Sequence, residues 1–201
     1  MPLAAGALAL SALTLLAAPE KEKQSWDSVS TATARADFLP KAALVEVEGQ
    51  PPGRGFVQLD VTDPGRTYKV RVSAEGFEPE ERVVEAAKIA RGLFYLALRP
   101  AGFAQRVDTA DPSSMALAAS ALWKAGRVDD AADYAEQSLH VGNTPLANKI
   151  LGEVWRRRGD RDKAVQYFTM YLSLTDNPSD GPAIRAWLLE AQPGDITVPA
   201  R

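Results

Sequence analysis

The strongest constraint in this chain is an internal echo. Residues 126–139 read GRVDDAADYAEQSL and residues 159–172 read GDRDKAVQYFTMYL. Gly126/Gly159, Asp129/Asp162, Ala131/Ala164, Tyr134/Tyr167 and Leu139/Leu172 are all separated by the same step of 33. Pro112, Pro145 and Pro178 fall on that step, as do Ala118/Leu151/Ile184 and Leu122/Trp155/Leu188. A fixed period of this size signifies a supersecondary unit stacked on copies of itself, because a single unit cannot bury its own apolar face.

The unit reads as two helices. Asp111, Thr144 and Asn177 precede the three prolines. Such side chains accept hydrogen bonds from the free N–H groups of a first turn, and proline just inside a helix forfeits no bond. The third start is open: Gly181-Pro182 is compatible with a delay to Asp180. Gly126 and Gly159 would close the first helix of each unit, where a left-handed residue costs glycine little. A second helix follows at once, with Asp129 and Asp160/Asp162 favourable near its positive end. Ala131, Tyr134, Ala135 and Leu139 form its inner face, matched by Ala164, Tyr167, Phe168 and Leu172. That is the spacing of one helical stripe. Residues 112–191 are therefore expected to hold two repeats and a capping helix.

Upstream the period changes to two. LVEVEG, FVQLDV, TYKVRVSA and LFYLALRP alternate or run apolar over short lengths, with ERVVEA before the last. Alternation between turns marks half-buried strands. GQPPGRG at 49–55, Asp63-Pro64-Gly65 and Glu75-Gly76 supply the reversals. Residues 41–100 are expected to form a small antiparallel β-sandwich, flanked at 19–40 by a linker or marginal first element whose Trp26 and Phe38 could dock onto it, and at 101–111 by a linker, with a tail at 192–201. The fold class is then α+β: a sandwich followed by a short α-solenoid.

Residues 2–18, PLAAGALALSALTLLAA, carry no charge and precede PEKEKQ. This is the make-up of a signal-peptide core or an N-terminal anchor, so residues 1–18 are expected to direct export to the periplasm or cell envelope. A membrane association would run through this segment if it stays uncleaved.

Several chemistries are disfavoured. A formal net charge of -3 gives no bulk field toward nucleic acid. The absence of cysteine removes thiolate nucleophiles and cysteine-held metals, and the single histidine, His140, has no evident nucleophile or orienting partner. Asp129/Asp130, Glu80/Glu81 and Asp160/Asp162 sit where helix caps and solvated faces are expected. No catalytic residue, metal or cofactor is expected.

Two family resemblances sharpen this reading. VEVEG at 45–49, DPGRTYKVRVSAEGFEPEERVV at 63–84 and LFYLALRP resemble the PEGA domain, a small β-sandwich of bacterial envelope and surface proteins. Leu151-Gly152, Trp155, Ala164 and Phe168 are similar to the tetratricopeptide repeat, and Ala118-Ala119, Leu122, Ala131 and Ala135 follow it in the first unit. Met115 and Asn148 stand where that repeat has a leading Trp. The second resemblance implies a concave groove lined by the first helices. Matching positions are Ala116, Ser120, Trp123 and Lys124 in one unit, and Lys149, Glu153, Arg156 and Arg157 in the next. Trp123 lies about 100° round the helix from the core position Leu122. Trp123, Lys124, Lys149, Glu153, Arg156 and Arg157 are thus the expected partner-binding residues. Glu153 replaces the asparagine of the carboxylate-clamp subclass. The expected function is a non-enzymatic scaffold or adaptor that binds protein partners through this groove. The alternative is a cell-wall, peptidoglycan or glycan-binding module, using Tyr68, Phe77 and Tyr95 if one sheet face exposes them.

Overall fold

A computed structural model describes residues 32–92 and 94–191. The expected leader at 1–18, most of the 19–40 linker and the 192–201 tail lie outside the described residues. Seven strands come first, with one short helix among them: β1 Thr33–Leu39, β2 Leu44–Val47, β3 Gly53–Arg54, β4 Phe56–Asp60, β5 Thr67–Ser73, β6 Glu80–Glu85, α1 Ala86–Ala90 and β7 Tyr95–Ala97. Five helices follow: α2 Pro112–Lys124, α3 Val128–Val141, α4 Pro145–Arg158, α5 Arg161–Leu174 and α6 Gly181–Ala191. No described helix is long and apolar enough to cross a membrane.

The strands make two small sheets, ordered β4-β1-β7 and β3-β2-β5-β6. Alternation predicts their burial. Tyr68, Val70 and Val72 of β5 are buried while Thr67, Lys69 and Arg71 between them are exposed. Val45 and Val47 of β2, and Val57 and Leu59 of β4, turn into the same core. Two features depart from expectation. β1 lies inside the stretch read as a linker or marginal first element, and it pairs with β7 in parallel, Asp37 opposite Tyr95, so the sheets are not wholly antiparallel. The expected turn at Asp63 forms: the Arg66 N–H donates to the Asp63 carbonyl at 3.1 Å, and the Asp63 carboxylate accepts from the Gly65 N–H at 2.9 Å.

The helix boundaries follow their local chemistry. Asp111 accepts from the Ser113 N–H at 2.9 Å and Thr144 from the Ala147 N–H at 3.4 Å. Gly159 takes φ +80° at the end of α4. The third proline does not start a helix: Asn177 adopts φ +44°, and α6 begins at Gly181, after Asp180. Ala131 and Ala164 are fully buried, as are Ala118 and Leu151 at the matching positions of α2 and α4. α2 packs on α3 and α4, α3 on α4, α4 on α5 and α5 on α6.

The sheets and helices are not separated by the stretch read as a linker at 101–111. Val107 is buried, and the Thr109 hydroxyl donates to the Tyr95 carbonyl at 3.4 Å. One apolar cluster runs from Ala36 through the sheets to Val154, and a second joins α5 to α6. Trp155 packs against both. At the junction the Phe77 ring stacks on Tyr134 at 6.0 Å and 16°. The Tyr134 hydroxyl donates to the Leu98 carbonyl, and burial pushes that phenol far above its usual range. The Arg127 guanidinium lies 4.4 Å over Phe77, pairs with Asp130 at 2.7 Å and donates to the Glu75 carbonyl at 2.5 Å. Gly76 leaves the room: a Cβ there would collide with the guanidinium. Lys41 adds ion pairs to Asp133 at 2.9 Å and Glu136 at 3.0 Å.

Candidate functional site

α2 packs beside α4, and an open cleft lies between the N-terminal ends of the two helices. On α2, Ser113, Leu117, Ser120 and Lys124 recur at the i, i+4, i+7, i+11 spacing of one helical stripe, and Ala116 and Trp123 lie beside it. On α4 the matching stripe is Leu146, Lys149, Glu153, Arg156 and Arg157. The six residues expected from sequence are thus on one side of the two helices, but they do not act alike.

Trp123 is half-buried and Lys124 is exposed. The Arg157 guanidinium lies 5.9 Å from the Trp123 ring centroid, so these two residues form a cation–π contact between the helices. Arg156 is tied to Glu153 at 2.6 Å within α4. Lys149 reaches away, to Asp180 at 2.5 Å and over the Tyr171 ring at 5.9 Å. Arg158, beside them, pairs with Asp129 of α3 at 2.5 Å. Among the described residues, Lys124 and Arg157 are the expected groove cations with no carboxylate partner. Of the four cations expected there, Lys149 is neutralised by an acid from outside the two helices, Asp180, and Arg156 by Glu153 of its own helix.

Sequence reasoning missed the opposite end of the two helices. Pro112, Ala116, Leu117, Pro145 and Leu146 line an open cleft of about 640 Å³ there, with the α3–α4 turn as one wall. Leu117 is 45% exposed, high for a leucine flanked by buried Ala116 and Ala118. The available signal was its place on the Lys124 stripe, seven residues earlier.

Asp180 is held by more than its lysine. The Tyr171 hydroxyl donates to its carboxylate at 2.8 Å. Burial alone would raise this carboxyl, but hydrogen bonds from Lys149 and Tyr171 and the Lys149 charge outweigh it and hold the group below its usual range. Burial first, and then the Asp180 contact, push the Tyr171 phenol up to about 12. This trio ties the entry of α6 to α4.

The acids that pair in sequence do not converge. Asp130 serves Arg127, Asp129 serves Arg158, Glu80 pairs with Arg82 at 2.5 Å and Glu81 with Lys69 at 2.9 Å. Asp160 caps α5 by accepting from the Lys163 N–H at 3.1 Å. Among the described residues no cluster of three or more acids and histidines is placed to hold a metal ion. Of the sheet aromatics, Tyr68 and Phe77 are buried, and Tyr95 is half-buried. Comparison with protein-family models, curated proteins and solved structures gives no match to this chain.

Proposed function

We propose that this protein is a non-enzymatic scaffold or adaptor that holds a protein partner along the α2–α4 groove. In this reading the helices are a tetratricopeptide-like array of two hairpins closed by α6. The sheets are a PEGA-like module fused to its first hairpin, and the chain is exported to the cell envelope. One observation carries the proposal: Trp123 lies beneath Arg157 and next to Lys124, and neither cation has an acid of its own among the described residues. A half-exposed tryptophan with adjacent free cations is the composition of an interface anchor rather than of a solvated helix face. The glycan-binding alternative has less support, since Tyr68 and Phe77 lie in the core and offer no aromatic platform.

Crosslinked co-purification from the native envelope fraction tests this reading. Lys124→Glu with Arg157→Glu should reduce partner capture far more than it lowers the melting temperature, because both side chains are exposed and outside ion pairs and only the Arg157–Trp123 contact and the helix-end charge preference are lost. Undiminished capture by the double variant refutes the groove. Retention of the wild-type chain on purified wall material, unaffected by the two substitutions, favours the glycan alternative.

A further inference from the structure

The last helix is held by contacts that any copy of it would make. Ile184, Leu188 and Ala191 fall on one stripe of α6, and they are buried with Phe168 and Tyr171 of α5 in an apolar cluster separate from the main core. Trp187 lies edge-on to Phe168, and the Arg161 side chain of α5 donates to the Glu190 carbonyl. Asp180, at the entry of α6, meets Tyr171 and Lys149. The same helix brought in by another chain satisfies each of these partners.

The connection ahead of α6 is less comfortable. Residues 175–180 read TDNPSD. Asn177 takes φ +44°, on the left-handed side that a residue with a Cβ occupies at a cost. Pro178 follows, and proline drives the residue before it toward extended conformations by steric clash. The Thr175 hydroxyl is buried with no hydrogen-bond partner among the described residues. Folding α6 back onto its own α5 therefore demands a turn that the local sequence resists. An extended Asn177-Pro178 removes the conflict. The six residues then span roughly 20 Å at about 3.3 Å each, and α6 projects away from its own chain.

We infer that α6 is an exchangeable element: two copies of this chain form a dimer in which the connection straightens and the α6 of each copy packs on the α5 of the other. Apart from the connection, every contact this exchange uses is one the monomer already makes, so the interface needs no new complementarity. Strained short hinges favour such exchange, and each dimer relieves two of them. That relief is set against the freedom lost on association, so the monomer prevails in dilute solution and the dimer when the chain is concentrated. The inference is independent of whether the α2–α4 face binds a partner.

The test uses the full chain carrying Arg161→Cys with Glu190→Cys, two exposed positions on facing ends of α5 and α6 in a protein with no cysteine of its own. Size-exclusion chromatography with light scattering should show monomer and dimer, with the dimer fraction rising with concentration. A short bismaleimide then joins the two positions. In the exchanged dimer the link runs between chains, and a denaturing gel shows a covalent pair; in the monomer it stays within one chain. In the otherwise unaltered protein, Asn177→Gly accepts the positive φ freely and Pro178→Ala lifts the constraint on Asn177. Each should raise the dissociation constant of the dimer by about tenfold, because two hinges change per dimer. A chain that stays monomeric at every concentration up to its solubility limit overturns the inference. So does a dimer whose bismaleimide link stays within single chains, which is a surface contact, and so does a dimer that neither hinge substitution weakens.

Discussion

Substituting Gly152 by alanine reads out how closely the second hairpin is packed. Gly152 sits inside α4, where alanine in place of glycine ordinarily stabilises a helix by about 1 kcal/mol. Here a Cβ would lie 2.6 Å, 2.7 Å and 2.9 Å from three ring carbons of Phe168 on α5. Real carbons do not approach that closely, so the ring or the helix must move. The ring has little freedom. Phe168 is 1% exposed and packs edge-on against Trp187 at 5.4 Å. Overpacking of this kind costs about 1–3 kcal/mol. Set against the helix-propensity gain, Gly152→Ala should lose up to about 2 kcal/mol. In a protein of this size that is a fall in Tm of up to roughly 8 °C, read by thermal denaturation followed by circular dichroism. Made on top of Phe168→Leu, which has its own cavity cost, Gly152→Ala should be neutral or stabilising, since the smaller side chain vacates the contested space; the pair is non-additive because the residues touch. A rise in Tm for the single variant would refute the reasoning, for it would mean that α4 and α5 cross farther apart than described here. The first hairpin meets the same requirement differently. At the positions 33 earlier it has Ala119 and Ala135, two small residues in place of a glycine and a ring.

Two further outcomes test the rest of the architecture. Arg127→Ala removes the Asp130 pair, the Phe77 stack and the Glu75 bond together, and should lower urea-denaturation stability by about 1–3 kcal/mol with a single transition retained for sheets and helices; two separated transitions would show that the junction does not couple them. Asp180 contributes a pH dependence. Its folded carboxyl titrates below its ordinary 3.8, so the stabilisation it brings is present above that value and is lost as pH falls through the folded pKa. The stability difference between wild type and Asp180→Asn should therefore shrink below about pH 4, and a difference that stays constant down to pH 2 would remove the Lys149–Tyr171–Asp180 contact from the account.

The helical half was legible because its signals are local. A capping side chain, a proline at the next position and a glycine a helix-length later mark α2 and α4 without reference to anything distant. The 33-residue step then places Ala131 and Ala164 at the crossings. At Pro178 the step breaks down: Asn177 turns left-handed and α6 starts later, at the Asp180-Gly181-Pro182 stretch that left this start open in the sequence. β1 was legible only as a linker or marginal element, for a different reason. TARADFL alternates, but Ala34 and Ala36 hold its inward places, and alanine carries too little apolar signal to separate a strand from a polar spacer. Its parallel partner β7 lies too far along the chain for any local pattern to reveal. The groove was legible in outline only. Helical spacing put six residues on one side, but whether Lys149 remains free depends on Asp180, contributed by the α5–α6 connection. The apolar end escaped notice because Leu117 looks like an ordinary core leucine until α3 and α4 are in place around it.

The division of the interior into two apolar clusters has a bearing on how the molecule comes apart. From the sheets to α4 the buried side chains form one continuous body, keyed at Arg127 and Tyr134; beyond it α5 and α6 share a smaller body, joined to the larger through Trp155 and the Gly152–Phe168 approach. Local opening follows the thinnest connection, and α6 packs far more sparsely on α5 than α5 packs on α4. Amide protons of α6 would exchange with solvent ahead of the rest, in a partial unravelling from the carboxyl side. The α2–α4 face belongs to the larger body, and so its shape outlasts the loss of the last helix.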